Sequence, residues 1–327
     1  MHIAFALPSR ADTGGGGLAY AVGMAGGLRA MGHSVDVTED GDPAWAPGPA
    51  WAPGVVPVID GMLLPDLLPH LDALVDQRAV ALIHHTLARA GRDAAQRAAV
   101  EAALRTMLPR LRRVVATSTP VADRLRQEFG LDTVHVVAPG MAELPRSAPG
   151  EPCRILSVGV LTPRKGHDVL LRAMARLVDL DWSLTIAGSA GRDTVHAAQL
   201  AARIPELGLS GRVQLLADPD TATLDALWRE AHLFALATRW EGYPAGVAEA
   251  LRRGVPVVVT EGGGALVPMA AGAVCALEDE PTLSKCLRRV VFDAALRAEM
   301  AEAAWQAGRD LPGWPAQAGL LDQVLRS

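Results

Sequence analysis

Thr238–Thr260 reads TRWEGYPAGVAEALRRGVPVVVT, and its apolar pattern changes period twice. The run LFAL at Leu233–Leu236 precedes it with the length and composition of a buried strand. Glu241, Gly242 and Tyr243 then form a turn. Pro244 suits the first turn of a helix and not its interior, so a helix starts at about residue 244. That helix, Ala245–Arg253, carries Glu249 in its second turn and is closed by Gly254, after which Val255–Val259 is a second buried strand. Strand, helix and strand in so short a span make one βαβ unit of a parallel sheet.

The same alternation extends in both directions. Upstream in the same half, strands are predicted near Arg154–Gly159, Ser183–Ala187 and Val213–Leu216, with helices at Val169–Val178 and Thr223–Arg229. In the first half, strands are predicted near Ile3–Leu7, Ser34–Thr38, Val55–Ile59, Val80–His84, Arg113–Thr117 and Val134–Val137. Helices there fall at Leu18–Met31, Asp93–Leu108 and Pro120–Phe129. Met141–Pro152, MAELPRSAPGEP, has no apolar period and reads as a linker, and Asp42–Pro57 reads as an irregular loop. Two α/β domains follow, 1–145 and 146–327, each a doubly wound parallel sheet. Ligands of such sheets sit at the carboxyl ends of the strands, so the expected site is a cleft between the domains.

Composition narrows the class. The chain has 327 residues, 50% of them hydrophobic and only 4% aromatic, so its cores rest on Ala, Val and Leu. A net charge of −5 gives no overall attraction for nucleic acid. Cys153, Cys275 and Cys286 are scattered, which argues for a reducing compartment and against a structural zinc site. The amino terminus lacks the features of a signal peptide, and no apolar run is long enough to span a bilayer, so a cytoplasmic protein is expected. Leu87–Arg113 holds seven arginines against Asp93 and Glu101. It reads as a solvated helix face in preference to a surface for anionic lipid at the inner membrane face.

Chemistry concentrates in two places. At a helix start such as Pro244–Gly246, free N–H groups favour phosphate or sugar oxygens, and Gly242 and Gly246 admit close backbone approach. Glu241 beside it is an acceptor for sugar hydroxyls. In Val158–Leu177, VGVLTPRKGHDVLLRAMARL, a strand ends at Gly159 and a loop presents Arg164 and Lys165 together, an arrangement suited to a diphosphate. Lys165 is one of two lysines in a chain that otherwise uses arginine.

Together these segments resemble the retaining family 4 glycosyltransferases of GT-B fold. The resemblance rests on Glu241 and Glu249 with seven residues between them, on the Arg164-Lys165 loop, on TIAG at Thr185–Gly188 and on Arg212–Gly242 leading into the glutamates. It implies two Rossmann-like domains, with residues 314–327 forming a helix that crosses back to the first. It also implies sugar transfer from a nucleotide-diphosphate sugar to an acceptor hydroxyl, with no cofactor and no catalytic metal. Arg164 and Lys165 would hold the diphosphate, Glu241 the donor sugar and Glu249 the ribose. Gly188, Leu216, Gly242, Tyr243, Pro244, Ala245 and Gly246 would line the donor subsite. From the first domain, Gly15 and Gly16 would approach the phosphates, and His84 would face sugar or acceptor. Val160 and Pro244 stand where that family often has Arg and Gly.

Two other readings compete. Gly14, Gly16 and Ala19 fit G-x-G-x-x-A with Glu39 and Asp40 downstream, as in an NAD(P)-dependent oxidoreductase, although these glycines lie well beyond the strand ending at Leu7. A non-catalytic sugar-nucleotide-binding protein would carry the same binding residues. The bland readings are a capped helix at Pro244, a solvated Arg164-Lys165 loop and a structural His84. Asp-x-Asp pairs recur in unrelated turns and carry no metal expectation.

Overall fold

The computed structural model describes residues 1–9, 16–40, 51–85 and 94–327. The chain divides into two compact units, Met1–Ala142 together with Pro312–Ser327, and Glu143–Leu311. Each holds one six-stranded sheet in which every pair is parallel.

In the first unit the order along the chain is β1 (His2–Leu7), α1 (Gly16–Ala30), β2 (Ser34–Glu39), β3 (Val55–Asp60), α2 (Leu71–Asp76) and β4 (Val80–Ile83). It continues with α3 (Ala94–Met107), β5 (Arg113–Ala116), α4 (Thr119–Phe129) and β6 (His135–Val136). The sheet order is β2-β1-β3-β4-β5-β6, so the winding reverses between β1 and β3. In the second unit β7 (Cys153–Val158), α5 (His167–Met174), β8 (Trp182–Gly188), α6 (Thr194–Glu206), β9 (Val213–Ala217) and α7 (Thr221–Arg229) come first. They lead to β10 (Leu233–Leu236), α8 (Ala245–Arg252), β11 (Val257–Thr260), β12 (Gly272–Cys275), α9 (Glu280–Phe292) and α10 (Ala294–Asp310). Here the order β12-β11-β10-β7-β8-β9 reverses between β7 and β10. Ligands of doubly wound sheets bind at such switch points.

The central strands are buried on both faces. LFAL of β10 and VVVT of β11 are buried at every position, which is why they read as continuous apolar runs instead of alternating ones. Phe234 stacks on the indole of Trp228 with centroids 5.4 Å apart, giving this aromatic-poor chain one large anchor beside α8.

The last helix, α11 (Trp314–Arg326), packs on α1 of the first unit. Gly23 and Gly27 make that possible: a Cβ on Gly23 would lie 2.5 Å from the Trp314 ring, and one on Gly27 2.5 Å from Ala318 Cβ. Tyr20 completes the contact, with Trp314 edge-on to its ring and its hydroxyl donating to the Val137 carbonyl.

Several sequence expectations need correction. Val55–Pro57 belong to β3 and not to an irregular loop, and residues 41–50 lie outside the described residues. The basic stretch 87–113 is not one helix. Residues 86–93 lie outside the described residues, α3 ends at Met107, and the chain turns so that Arg113 opens β5. The expected helix Val169–Val178 begins earlier, at His167, and tightens into a 3₁₀ turn at Ala175–Leu177. The stretch 143–152 is irregular, as its composition predicts, but fastened to the second unit. Ser147 Oγ donates to the carbonyls of Arg229 and Ala231, and Arg146 pairs with Glu302. No helix among the described residues is long and apolar enough to cross a membrane.

Candidate active site

The second unit assembles a charged cluster at its switch point. β7 ends at Val158, and a 3₁₀ turn, Pro163–Lys165, presents Arg164 and Lys165 before Gly166 starts α5. Gly166 has φ of 64°, a left-handed conformation that favours glycine, and a Cβ there would run into the Ala237 carbonyl at the end of β10. The Arg164 carbonyl ties the loop after β7 to the loop after β10: the Arg239 N–H donates to it at 2.8 Å, and Thr238 Oγ1 donates to it at 3.2 Å. Thr260 Oγ1, at the end of β11, donates to the Thr238 carbonyl.

That arrangement brings Arg164, Lys165 and Glu241 together. Lys165 Nζ lies 2.6 Å from Glu241 Oε1, and Arg164 Nη1 lies 3.0 Å from Oε2 and 2.6 Å from the Trp240 carbonyl. Thr238 Oγ1 donates to Oε1 at 2.9 Å. Glu241 and Lys165 side chains are 9% and 14% exposed, whereas Arg164 is 38% exposed. Burial alone would raise the Glu241 pKa, but the Lys165 and Arg164 charges and the hydrogen bonds hold it below the ordinary carboxylate value. Burial, with Arg164 adding repulsion, draws Lys165 below the usual ammonium value, partly offset by Glu241.

Around this cluster the donor-subsite candidates divide. Gly188 ends β8 against the end of β7, and a Cβ there would fall on the Gly159 carbonyl. The Asp218 N–H, just past Leu216 in β9, donates to the Gly188 carbonyl at 3.0 Å, so Gly159, Gly188 and Leu216 sit on adjoining strand ends. Pro244 is the N-cap position and α8 begins at Ala245; Gly242 is buried and Tyr243 half-buried, its phenol pushed up to about 12 by burial. Gly246 departs from expectation: a Cβ there would lie 2.8 Å from Phe234 Cζ, so its missing side chain is required by packing of α8 on β10. Glu249 is engaged with Arg253, a buried guanidinium 3.2 Å away that also pairs with Asp225 at 2.7 Å. Burial raises the Glu249 pKa, with Arg253 pulling the other way. Arg253 was not singled out from the sequence, though its i, i+4 relation to Glu249 is a readable signal. Nor was Glu261, which is exposed directly after β11.

In the first unit, His84 follows β4 and faces Asp60, the last residue of β3, with Nε2 3.6 Å from Oδ2. The Tyr20 ring stands edge-on to His84 at 5.1 Å. Gly17, in the first turn of α1, leaves room for both: a Cβ there would be 3.1 Å from Asp60 Oδ2 and 3.7 Å from His84 Nε2. Burial drives the two groups toward neutrality, raising Asp60 to about 6 and lowering His84 to about 4. Met62 N–H donates to Asp60 Oδ1 at 2.9 Å. Asp60 escaped the sequence reading because its partner comes from a different strand. Gly16 is exposed at the start of α1, and Gly15 lies outside the described residues. Residues 8–15 separate β1 from α1, whereas a dinucleotide turn follows its strand at once.

Residues 145–307 match the family described as Glycosyl transferases group 1. A D-inositol 3-phosphate glycosyltransferase of Rhodococcus opacus (strain B4) is 29% identical over 62% of this chain and 52% of its own length. Its namesake from Nocardia farcinica is 30% identical, over 61% and 50%. The chain thus spans about half the length of the curated relatives it matches. Among solved structures, sucrose-phosphate synthase (tll1590) from Thermosynechococcus elongatus superposes with TM-score 0.81 at 18% identity, covering 99% of this chain and 98% of that one. Anabaena Alr3699/HepE, solved in complex with UDP and glucose, gives TM-score 0.77 at 16% identity over 100% and 99%. Two parallel doubly wound sheets, the Arg164-Lys165-Glu241 cluster and these matches agree, and the chain belongs to the group 1 glycosyltransferases, in family 4 of the GT-B fold.

Proposed function

We propose that this protein is a retaining glycosyltransferase that moves a sugar from a nucleotide-diphosphate sugar to an acceptor hydroxyl. The observation that carries the proposal is the pair of cations, Arg164 and Lys165, held on Glu241 where β7 and β10 diverge. The donor's diphosphate carries two negative charges and takes on a third as the bond from the anomeric carbon to the phosphate oxygen breaks, so fixed positive charge aimed at it is worth most in the transition state. In a front-face transfer the acceptor oxygen bonds to the same face of that carbon, and its proton passes to the departing phosphate. The two cations supply the role a metal ion plays in other diphosphate chemistry, so we propose a metal-independent reaction.

In this reading Arg164, with its larger exposure, meets the diphosphate first, and Lys165 is positioned by Glu241. Glu241 and Glu249 remain the proposed contacts for the donor sugar and the ribose, and His84 is the first unit's proposed contribution. The HepE complexes make UDP the first nucleotide to try, and the names of the curated relatives make inositol 3-phosphate the first acceptor. The test is mass spectrometry of products from a panel of UDP-, GDP- and ADP-sugars with phosphorylated and neutral polyols, with EDTA present and absent. The expected result is a mass gain of one sugar, insensitive to EDTA and reduced at least a hundredfold by Lys165→Ala. Binding of nucleotide diphosphate without any product, across the panel, favours the sugar-nucleotide-binding alternative. Selective stabilisation by NAD(P) favours the oxidoreductase.

A further inference from the structure

The arginines at the end of the basic stretch are left over once the transferase site is described. Arg112 and Arg113 lie at the amino ends of the strands of the first unit, whereas His84 and Asp60 lie at the carboxyl ends. Beside them is a cavity of about 580 Å³, lined among others by Arg112, Arg113, Thr133, His135 and Asp132. Its size is that of a small-molecule site.

The charge there is unbalanced. Elsewhere in this unit Arg105, Arg110, Arg124 and Arg126 each pair with a carboxylate. Among the described residues, Arg112, Arg113 and the nearby Arg78 form no ion pair. Arg113 donates to the Arg112 carbonyl and to Ser327 Oγ, and Arg112 donates to the Arg326 carbonyl, all neutral acceptors. Arg112 Nε and His135 Nε2 are buried without a hydrogen-bond partner. A buried guanidinium N–H without an acceptor, beside a buried imidazole nitrogen and guanidiniums without a carboxylate, is costly unless an anion satisfies it.

We propose that this cavity is a second anion site, which binds the phosphate of a small phosphorylated molecule through Arg112, Arg113 and His135. Burial and the repulsion among Arg78, Arg112 and Arg113 lower the Arg112 pKa, and burial with Arg113 lowers that of His135, as expected where positive charge lacks a counter-ion. The apolar lining from Leu108, Leu111 and Leu131 leaves room for the organic body of a phosphate monoester.

Equilibrium dialysis of the full chain against radiolabelled inorganic phosphate tests the assignment. Glucose 6-phosphate serves as a competitor, and vesicles containing phosphatidic acid form a separate arm. An Arg164→Gln/Lys165→Gln background removes the other cationic cluster. Saturable phosphate binding is expected to survive in that background, to weaken at least tenfold in Arg112→Gln/Arg113→Gln, and to be displaced by glucose 6-phosphate. Asp132→Asn, an exposed change that removes the side-chain carboxylate of the lining, is expected to tighten binding several-fold, and decides the matter if the double arginine variant does not fold. Phosphate binding that is absent, that disappears with Arg164 and Lys165, or that ignores Asp132→Asn overturns the proposal. So does capture on vesicles without binding of the soluble phosphates.

Discussion

Glu241→Gln separates the electrostatic role of this residue from its shape. The amide keeps the size of the side chain and still accepts from Thr238 Oγ1, but it removes the charge opposite Lys165 and Arg164. Taking one partner from a buried ion pair costs ~3–5 kcal/mol. Arg164 is more than one-third exposed and screened by solvent, so the effect falls on Lys165 and the lower end, ~3 kcal/mol, is expected. For a unit of this size that is a fall in Tm of roughly 6–12 °C, read by circular dichroism in the transition of the second unit. Without Glu241 nothing holds the Lys165 pKa up against burial and Arg164. A group whose folded pKa lies below its unfolded value destabilises while it must stay charged, so the deficit shrinks as pH rises toward the unfolded lysine value. Under the proposed function UDP would supply the missing anion, so its stabilising shift is expected to be larger in Glu241→Gln than in the parent. If the variant melts within about 2 °C of the parent and responds identically to UDP, Glu241 does not neutralise Lys165 and the reasoning fails.

Two further outcomes follow from the first unit. Asp60, raised to about 6, contributes stability that is lost as pH rises from about 4 through 6, whereas His84, lowered to about 4, contributes stability lost as pH falls from about 6.5 through 4. The two nearly cancel in the parent. Asp60→Asn should therefore be less stable at pH 4 than at pH 6.5 by up to ~3 kcal/mol, and His84→Gln should show the opposite slope in urea titrations. Parallel slopes for the two variants would show that neither group is held neutral. In α1, Gly27→Ala is expected to destabilise the first unit by ~1–3 kcal/mol by pushing on Ala318, while Gly26→Ala, with open space around it, should stabilise it by ~0.5–1 kcal/mol. Equal thermal shifts would remove the close α1–α11 contact from the account.

The second unit was legible because its strands are buried on both faces. LFAL and VVVT announce themselves as short apolar runs, and charged groups can enter only where those runs end. Arg164, Lys165 and Glu241 could be read for the same reason: each lies in the loop that leaves a strand of one sheet, and the winding brings those loops together. Asp60 ends a strand and His84 follows one, yet an acid closing VVPVID and a histidine after VALI say nothing of each other until the order β3-β4 is known. Gly23 and Gly27 were hidden more completely. They read as a weak helix, and only the return of α11 explains why the helix lacks side chains there. The two glutamates expose a further limit, since equal spacing to a family pattern does not mean equal electrostatics. Glu241 is held ionised by two cations in the loop, one of them open to solvent, whereas Glu249 is raised by burial and shares Arg253 with Asp225. Under the proposed function, an arriving diphosphate competes with Glu241 for its cations, while Glu249, already paired with Arg253, would meet the ribose hydroxyls. The charge rearrangement expected on donor binding therefore centres on the loops after β7 and β10, where the two cations lie.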